Sequence, residues 1–274
     1  MTARIAIIAG AGQFPFHVAR EAQRRGIDVV AIGLRDWVDC SLSKTVPVYE
    51  EIGVGELGKL IHRLKEHGVR EAIMAGKVTK GIIFDPRVLF DGETLKILHG
   101  VKDYSVGGLL GAVGARLAEE GITLLDSSTY LRDYLCPDSV LTKRKPSAVE
   151  QEDIRFGVQI ARALAAVDVG QTVIVKSRVV VAVEALEGTD AAIRRAHDLA
   201  GDKLVVVKTA ALKQDRRFDL PVIGMDTVKI LQENGVSCIA IEAGSTLLLD
   251  RAVLIETADR ADICITGVSI PNPS

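Results

Sequence analysis

Short apolar runs alternate with longer amphipathic segments along the chain. In the first half, the apolar runs predict strands at 5–9, 29–32, 72–75 and 122–125. Between them, apolar residues that recur at helical spacing predict helices at 16–25, 56–66, 88–98 and 109–119. This alternation is typical of an α/β fold with mostly parallel strands.

The second half continues the same alternation after one long amphipathic helix, predicted at 148–165. Two β-rich runs at 172–176 and 179–184 flank Ser177-Arg178, which predicts a hairpin. Further strands are expected at 204–207, 238–242 and 262–265, and further helices at 191–200, 226–234 and 250–260.

Loop-forming residues interrupt this periodicity between 134 and 146, which places a domain boundary there. We therefore predict a Rossmann-like nucleotide-binding domain at 1–134, a linker at 135–146 and a second α/β domain at 147–274 that carries an acidic cluster. A chain of 274 residues with 48% hydrophobic content is long enough to bury the cores of two such domains.

The charge balance argues against a dedicated nucleic-acid binder. The net charge is -2, and such binders need clustered Lys and Arg to displace counterions. The basic stretch Lys143-Arg144-Lys145 is too short to change this and is expected to be an exposed linker.

The cysteines and the first residues indicate the compartment. The four cysteines are scattered without a C-x-x-C pair, which favours reduced thiols over a zinc site or a disulfide framework. A strand is predicted almost at the start, without the pattern of a signal peptide, and apolar runs stay short of membrane-spanning length. We therefore expect a cytoplasmic protein.

Two glycine-containing loops follow predicted strands of the first half. Gly10, Gly12, Gln13 and Phe14 lie between the first strand and a helix, where backbone amides can face a phosphate. Pro15 occupies the last position of a G-x-G-x-x-G fingerprint, so NAD is a less favoured ligand. Nucleotide binding and a simple tight turn both remain open for this loop.

The second such loop carries Gly76 and Lys77 directly after the strand at 72–75. Open α/β sheets bind ligands at the carboxyl ends of their strands. Lys77 can bind a phosphate there, or it can be an ordinary exposed lysine.

Acids and bases crowd together after the strand at 204–207. Asp215 and Asp219 can hold a divalent cation or a water, while Lys208, Arg216 and Arg217 can neutralise a phosphate. The alternative is a solvated loop of mixed charge.

A second acidic cluster follows the strand at 179–184. It contains Glu184, Glu187 and Asp190, together with Gly188 and Thr189, just before a predicted helix. Thr189 or Asp190 is placed to cap that helix, which explains one of the polar residues but not the glutamates. The start of the helix can also receive a phosphate.

Several of these segments resemble one family. The residues at 8–15, 74–78, 168–171, 184–190 and 214–224 look like those of the UDP-2,3-diacylglucosamine pyrophosphatases of the LpxI type. The similarity covers nearly the whole chain. One departure is Asp103, which is followed by Tyr-Ser-Val-Gly-Gly where adjacent acids are expected before Leu109-Leu110.

The resemblance implies an enzyme of lipid A biosynthesis. It would hydrolyse the diphosphate bond of UDP-2,3-diacylglucosamine to UMP and 2,3-diacylglucosamine 1-phosphate (lipid X), with Mg²⁺ or another divalent cation as cofactor. Asp215 and Asp219 are then the catalytic candidates, and Glu187 and Asp190 join them as metal-ligand candidates. The substrate-binding candidates are Gly10, Gly12, Gln13, Phe14, Gly76, Lys77, Gln171, Gly188, Thr189, Lys208, Gln214, Arg216 and Arg217.

Such an acylated UDP-sugar substrate also implies transient, peripheral contact with the inner membrane face. Apolar helix faces allow a homodimer as readily as they allow core packing. Two alternatives to the implied reaction stay open. One is hydrolysis of another nucleotide-sugar diphosphate, and the other is a non-catalytic nucleotide or lipid carrier.

Overall fold

The structure is a computed structural model that describes residues 3–78, 88–101, 106–167, 169–210, 215–218 and 220–270. The chain divides into two compact units. Unit 1 comprises Met1–Arg132 together with Asp215–Asp219, and unit 2 comprises Asp133–Gln214 and Leu220–Ser274. Each unit contains a sheet and helices, which confirms the predicted α/β class.

Unit 1 is built on a parallel sheet of five strands in the order β3-β2-β1-β4-β5. The strands are β1 (Arg4–Ala9), β2 (Asp28–Leu34), β3 (Val48–Ile52), β4 (Glu71–Ala75) and β5 (Thr123–Leu124). The helices are α1 (Phe14–Arg24), α2 (Leu57–Glu66), α3 (Gly92–Gly100) and α4 (Val106–Glu119), with a 3₁₀ turn at Cys40–Lys44. A second 3₁₀ turn, at Arg132–Tyr134, lies where the chain passes from unit 1 to unit 2.

The strand order fixes where the loops of unit 1 meet. The chain runs outward from β1 through β2 to β3, and then returns to place β4 and β5 on the other side of β1. The order therefore reverses between β1 and β4. In open α/β sheets a crevice for ligands opens at this point, outside the carboxyl ends of the strands.

The central strands of unit 1 are buried on both faces, as expected for a parallel sheet covered by helices. Ile5 and Ile7 on one face of β1, and Ala6 on the other, are all fully buried. One core cluster joins β1, β2 and β4 to apolar residues of α2 and α4, including Leu64 and Leu117.

Unit 2 is built on a mixed sheet in the order β12-β10-β8-β6-β7. The strands of unit 2 are β6 (Thr172–Lys176), β7 (Val179–Val183), β8 (Leu204–Lys208), β9 (Val222–Ile223), β10 (Val236–Glu242), β11 (Leu247–Leu248) and β12 (Cys264–Val268). The helices are α5 (Ala148–Ala166), α6 (Thr189–Ala200), α7 (Met225–Glu233) and α8 (Arg251–Arg260). Strands β8, β10 and β12 run parallel, and β6 pairs antiparallel with β7, which confirms the predicted hairpin.

Strand β8 is the centre of the unit 2 core. Its residues Leu204, Val205, Val206 and Val207 are fully buried, and they contribute alternately to the clusters on the two faces of the sheet. Helix α5 packs closely on one face, because a Cβ at Gly157 would lie 2.6 Å from the Cγ2 of Val207.

The segment at 135–146 is held along unit 2. Leu135 forms a bridge with Leu247, and Val140 forms one with Thr266. The expectation of an exposed basic stretch is wrong for Arg144, whose side chain is 26% exposed and pairs with Glu150. The guanidinium donates to both Glu150 carboxylate oxygens, at 2.9 and 3.0 Å.

Some short elements were not predicted. Strand β3 reads Val-Tyr-Glu-Glu-Ile and lies at the sheet edge, where its glutamates weaken the apolar signal. Strands β9 and β11 pair with each other over two residues each, which is too short for any periodicity. Within the described ranges, no helix is both long and apolar enough to cross a bilayer.

Candidate functional site

The loops after β1 and β4 meet at the point where the strand order of unit 1 reverses. Ala11 and Lys77 form an antiparallel bridge, in which each backbone N–H donates to the other residue's carbonyl at 2.9 Å. The N–H of Gly10 also donates to the carbonyl of Ala75 at 2.8 Å. The predicted binding residues of these two loops therefore lie side by side at the carboxyl edge of the sheet.

Glycine is required where these two loops cross. A Cβ at Gly76 would lie 2.6 Å from the carbonyl carbon of Gly10, and a Cβ at Gly10 would lie 2.9 Å from the carbonyl oxygen of Lys77. Gly76 also adopts φ +99, a left-handed conformation that side chains disfavour. The glycines thus allow two backbones to approach where a ligand would bind.

The first loop leads directly into α1. Gly12 has φ +91, and Gln13 is the N-cap residue, whose carbonyl accepts from the N–H groups of Phe16 and His17. Gly12, Gln13 and Lys77 are exposed, whereas Phe14 is 7% exposed and packs as the first residue of the helix. The amino end of α1 therefore opens beside the loop, with a favourable dipole for an anion.

Residues 215–218 belong to unit 1, although their sequence neighbours belong to unit 2. They are held by the turn that follows β5. The N–H of Ser127 donates to the carbonyl of Arg216 at 2.9 Å, and the Ser127 hydroxyl lies 2.8 Å from the carbonyl of Arg217. The same hydroxyl lies 2.8 Å from the carbonyl of Met74 in β4.

Arg216 is held by the same turn through its side chain. Its Nε lies 3.0 Å from Oδ2 of Asp126, and its Nη2 donates to the hydroxyl of Ser128 at 3.3 Å. The other Asp126 oxygen, Oδ1, accepts from the N–H and hydroxyl of Ser128, at 2.7 and 2.6 Å. Arg216 is thus already paired with a carboxylate.

Asp215 and Arg217 pair with each other within the segment. The Nε of Arg217 lies 2.9 and 3.0 Å from the two Asp215 oxygens, and Nη2 lies 2.5 Å from Oδ2. These hydrogen bonds lower the pKa of Asp215, and they outweigh the opposing effect of burial. The Nη1 side of Arg217 lies over Gly114 of α4, 3.5 Å from where a Cβ would be.

We call the loops after β1, β4 and β5, together with residues 215–218, the first-sheet site. Two arginines there each form an ion pair with an aspartate, and the hydrogen bonds to Asp215 fix the plane of Arg217 before any ligand binds. A guanidinium has five N–H donors, and Asp215 uses only those on Nε and Nη2 of Arg217, so Arg217 keeps donors for a phosphate. The site can therefore bind an anion with Arg216, Arg217, Lys77 and backbone amides, beside an ionised carboxylate.

A second polar group lies in unit 2, at the end of β8. The ammonium of Lys208 donates to the hydroxyls of Thr189 at 2.9 Å and Thr172 at 3.2 Å. The Thr189 hydroxyl donates to Oε1 of Glu184 at 2.9 Å, and Lys208 lies 4.0 Å from Oε2. We call these four residues the Lys208 cluster.

The Lys208 cluster keeps a buried carboxylate charged. The side chains of Lys208 and Glu184 are 12% and 16% exposed. Burial alone would raise the pKa of Glu184, but the charge of Lys208 and hydrogen bonds from Thr172, Thr189 and the Gln171 backbone hold it below the usual value. Oε2 of Glu184 is buried and has no hydrogen-bond partner among the described residues.

The other predicted residues near α6 lie apart from that hydrogen-bond network. Glu187 pairs with Arg195 at 2.6 Å, and Asp190 is exposed on the first turn of α6. The capping prediction is wrong, because the N-cap residue is Gly188 with φ +83. Thr189 is the first helical residue, and its hydroxyl is used by Glu184 and Lys208 instead.

Two family models match the two halves of the sequence. Residues 4–134 match the LpxI N-terminal domain, and residues 137–266 match the LpxI C-terminal domain. The chain belongs to the LpxI family. A relative from Caulobacter vibrioides, named UDP-2,3-diacylglucosamine pyrophosphatase LpxI, is 30% identical over 276 residues, which cover 97% of both chains.

Solved structures resemble this LpxI chain only weakly. A UDP-glucose-4-epimerase from Stenotrophomonas maltophila gives a TM-score of 0.29 at 18% identity, over 44% of this chain and 34% of the epimerase. The biotin carboxylase domain of a thermophilic 2-oxoglutarate carboxylase gives 0.28 at 14% identity, over 64% of this chain and 35% of that one. The chain thus spans about a third of the length of these proteins, and neither bears on its function.

Three of the predicted residues lie outside the described part of this LpxI chain, namely Asp219, Gln214 and Asp103. Within the described ranges, no three His, Cys, Asp or Glu side chains are grouped so that they could hold a metal ion. Among the described residues, neither Asp215 nor Asp190 therefore belongs to a group of three possible metal ligands.

Sequence reasoning missed several polar residues of the two sites. Asp126, Ser127 and Ser128 follow directly after the apolar run that predicted β5, so their place at a strand's carboxyl end was a usable signal. Thr172 carried no such signal. It enters the Lys208 cluster because β6 runs antiparallel to β8, which pairs Thr172 with Lys208.

Proposed function

We propose that the protein hydrolyses the diphosphate bond of UDP-2,3-diacylglucosamine to give UMP and 2,3-diacylglucosamine 1-phosphate. Membership of the LpxI family over both halves supports this, as does the pyrophosphatase name of a relative at 30% identity. The reaction places the protein in lipid A biosynthesis.

The observation that carries the proposal is the location of residues 215–218 at the carboxyl edge of the first sheet. Ser127 bonds at the same time to this segment and to Met74 of β4, and β4 leads directly into Gly76 and Lys77. Fixed arginines, a lysine and glycine-rich backbone therefore converge in unit 1. Hydrolysis of a diphosphate needs this kind of charge neutralisation and little covalent chemistry from the protein.

Asp215 is the described carboxylate of this segment, and we assign it the role of orienting water or binding a cation. Its lowered pKa keeps it ionised at neutral pH. Arg217 fixes its direction and offers its remaining N–H groups to phosphate oxygens, while Arg216 adds a second positive charge in the same segment. Asp219, the second predicted catalytic residue, shares the segment in sequence, and we propose that it takes the complementary role.

A divalent cation, Mg²⁺ by preference, fits the chemistry of these donors. Magnesium is held by one or two carboxylates together with substrate phosphates and water, so a cage of protein ligands is not required. Asp215 is ionised and 33% exposed, and a carboxylate has about four lone-pair sites, more than Arg217 occupies. We propose Asp215 and Asp219 as ligands. The other two candidates, Glu187 and Asp190, lie in unit 2, where Glu187 pairs with Arg195 at 2.6 Å. Such a cation would neutralise charge on the diphosphate oxygens.

The Lys208 cluster is a second candidate, within unit 2, for binding an anionic or polar ligand group. Lys208 donates to Thr189, and Thr189 in turn donates to Glu184, so the Lys208 ammonium is held in a fixed position. Gln171 and Gly188 adjoin the cluster in the chain, and we propose them as backbone contacts. The acylated substrate further suggests transient contact with the inner membrane face, a cytoplasmic location and compatibility with a homodimer.

The test is product analysis with purified protein. Wild-type protein and Mg²⁺ should release UMP and 2,3-diacylglucosamine 1-phosphate from UDP-2,3-diacylglucosamine, and EDTA should stop the release. UDP-N-acetylglucosamine and UDP-glucose serve as controls that lack the acyl chains. Equal hydrolysis of these controls would favour a general nucleotide-sugar hydrolase. Tight binding of the acylated substrate without any UMP would favour a carrier.

A further inference from the structure

The turn at 126–128 holds residues 215–218 by backbone and side-chain contacts alike. We propose that Ser127 and Asp126 are positioning residues, which fix this segment at the carboxyl edge of the first sheet for the hydrolysis of the diphosphate. This inference rests on the proposed function, because it assigns a task to the turn in the same reaction.

Ser127 links the segment to the first sheet. The residue is 1% exposed, and its N–H donates to the carbonyl of Arg216 at 2.9 Å. Its hydroxyl lies 2.8 Å from both the carbonyl of Arg217 and the carbonyl of Met74. A hydroxyl has one proton, so the two carbonyls share it. One buried side chain therefore ties the segment to β4.

The segment depends on such contacts because it is not a β-strand and has no backbone hydrogen bonds of a sheet. Residues 215–218 form a turn, in which Phe218 donates to the carbonyl of Asp215 at 3.2 Å. The carbonyls of Arg216 and Arg217 would otherwise have to be satisfied by water. Ser127 supplies a donor to each of them and therefore fixes the position of the segment relative to β4.

Asp126 fixes the direction of the neighbouring side chain. Its Oδ2 pairs with Nε of Arg216 at 3.0 Å, while Oδ1 is held by Ser128. The Arg216 side chain is 39% exposed, so this pair orients Arg216 more than it stabilises the fold. The turn thus controls both the backbone of the segment and the plane of one arginine.

A small displacement of the segment should impair the reaction more than substrate binding. Asp215 directly precedes Arg216, so a shift of the Arg216 and Arg217 carbonyls moves the Asp215 carboxylate. A misplacement of about 1 Å can cost about 100-fold in rate. We expect Ser127→Ala to lower kcat by about 10-fold to 100-fold, with KM changed by less than about threefold. Ser127→Thr keeps the hydroxyl and should recover most of the rate.

The placement itself can be tested without any activity. Trypsin cleaves after arginine, and the carbonyls of Arg216 and Arg217 are the groups that Ser127 holds. Folded Ser127→Ala and Asp126→Asn proteins should be cut at these two bonds at least about tenfold faster than wild type, with cleavage sites assigned by mass spectrometry. Ser237→Ala is a matched control, because it removes a half-buried serine hydroxyl that bonds Glu150 in unit 2.

The outcomes separate this inference from the proposed function. Faster cleavage together with a lower kcat, in variants of wild-type melting temperature, supports the proposal. Unchanged cleavage in both variants overturns it, whatever their activity. Faster cleavage with wild-type kcat also overturns it, since the position of the segment would then not matter. Absence of UMP release from wild type would refute the proposed reaction, while the cleavage rates would still decide whether the turn holds the segment.

Discussion

Arg217 binds both carboxylate oxygens of Asp215, two residues before it in the chain, with Nε at 2.9 and 3.0 Å. The pair is made within the segment, and the segment is held from outside by Ser127. The Asp215 carboxylate of the first-sheet site is therefore ionised and oriented by its own neighbour. This relationship makes pH dependence the most direct test of the role of Arg217.

Replacement of Arg217 by alanine should move the acid limb of kcat/KM to higher pH. The hydrogen bonds from Arg217 lower the pKa of Asp215, so their loss lets that pKa rise. A carboxylate that acts when ionised loses activity as the pH falls through its pKa, and a higher pKa brings this loss at a higher pH. Arg260→Ala, an exposed arginine of α8, is the control. An acid limb at the wild-type pH in Arg217→Ala would exclude Asp215 as the titrating group.

Alanine at Gly76 should destabilise the protein more than alanine at Gly68. Both glycines have positive φ, at +99 and +66, so both replacements carry the same kind of backbone strain, about 1 kcal/mol. A Cβ at Gly76 would also meet the backbone of Gly10 at 2.6 Å, whereas a Cβ at Gly68 meets nothing within 4 Å. We expect Gly76→Ala to lose at least about 2 kcal/mol more and to weaken UMP binding. Urea unfolding and calorimetric titration with UMP measure these effects, and equal losses for the two variants would contradict the close approach.

Neutralising Lys208 should destabilise the fold unless Glu184 is neutralised too. Lys208→Met leaves the Glu184 carboxylate buried without its cation, and we expect a loss of about 2 to 4 kcal/mol in the free energy of unfolding. The double variant with Glu184→Gln should recover at least half of that loss. A double-mutant cycle by urea unfolding gives the coupling between the two residues. Additive losses in the free energy of unfolding would mean that Lys208 and Glu184 do not stabilise each other.

Glu150 should make stability fall at acid pH. Burial alone would raise its pKa, but hydrogen bonds from Arg144, Ser237 and Ser147 outweigh burial and lower the pKa from 4.5 to about 2. Because the folded pKa is depressed, the stabilisation is fully present above the unfolded pKa of 4.5 and is lost as the pH falls towards about 2.

The variant Glu150→Gln should therefore lose about 2 kcal/mol at neutral pH and show a shallower decline between pH 5 and pH 2, about the window set by the two pKa values. Glu152→Gln, whose side chain is 53% exposed on the same helix, should change stability by less than about 0.5 kcal/mol. Unfolding curves over this pH range measure both. If the free energy of unfolding fell equally with pH in wild type and Glu150→Gln, Glu150 would not be the source of the acid sensitivity.

The strands could be predicted where burial of both faces requires a continuous apolar run in the sequence. The run at 204–207 is apolar because β8 is covered on both faces, and the hairpin at Ser177-Arg178 has two β-branched flanks. The edge strand β3 was missed because one side of it faces solvent and accepts glutamates. Two-residue strands such as β9 depend on their tertiary partner alone.

The sequence predicts which residues belong to the site, but it does not predict which of them pair with each other. Glycine at positions 10 and 76 indicates a close approach of two backbone segments, and the many charged residues around Asp215 indicate a binding or catalytic site. The pairing of Asp215 with Arg217 depends on the shape of an irregular turn, which no periodicity encodes. Ser127 was overlooked because an uncharged serine carries no electrostatic signal, although it makes more contacts with the segment than any charged residue of the turn.

The most direct test of the account is UMP release from UDP-2,3-diacylglucosamine by wild type and Asp215→Asn, with Asp226→Asn of α7 as the matched control. We predict metal-dependent release by wild type and the control, and a kcat at least about 100-fold lower for folded Asp215→Asn. Release by Asp215→Asn at the wild-type rate would contradict the placement of the reaction at the first-sheet site.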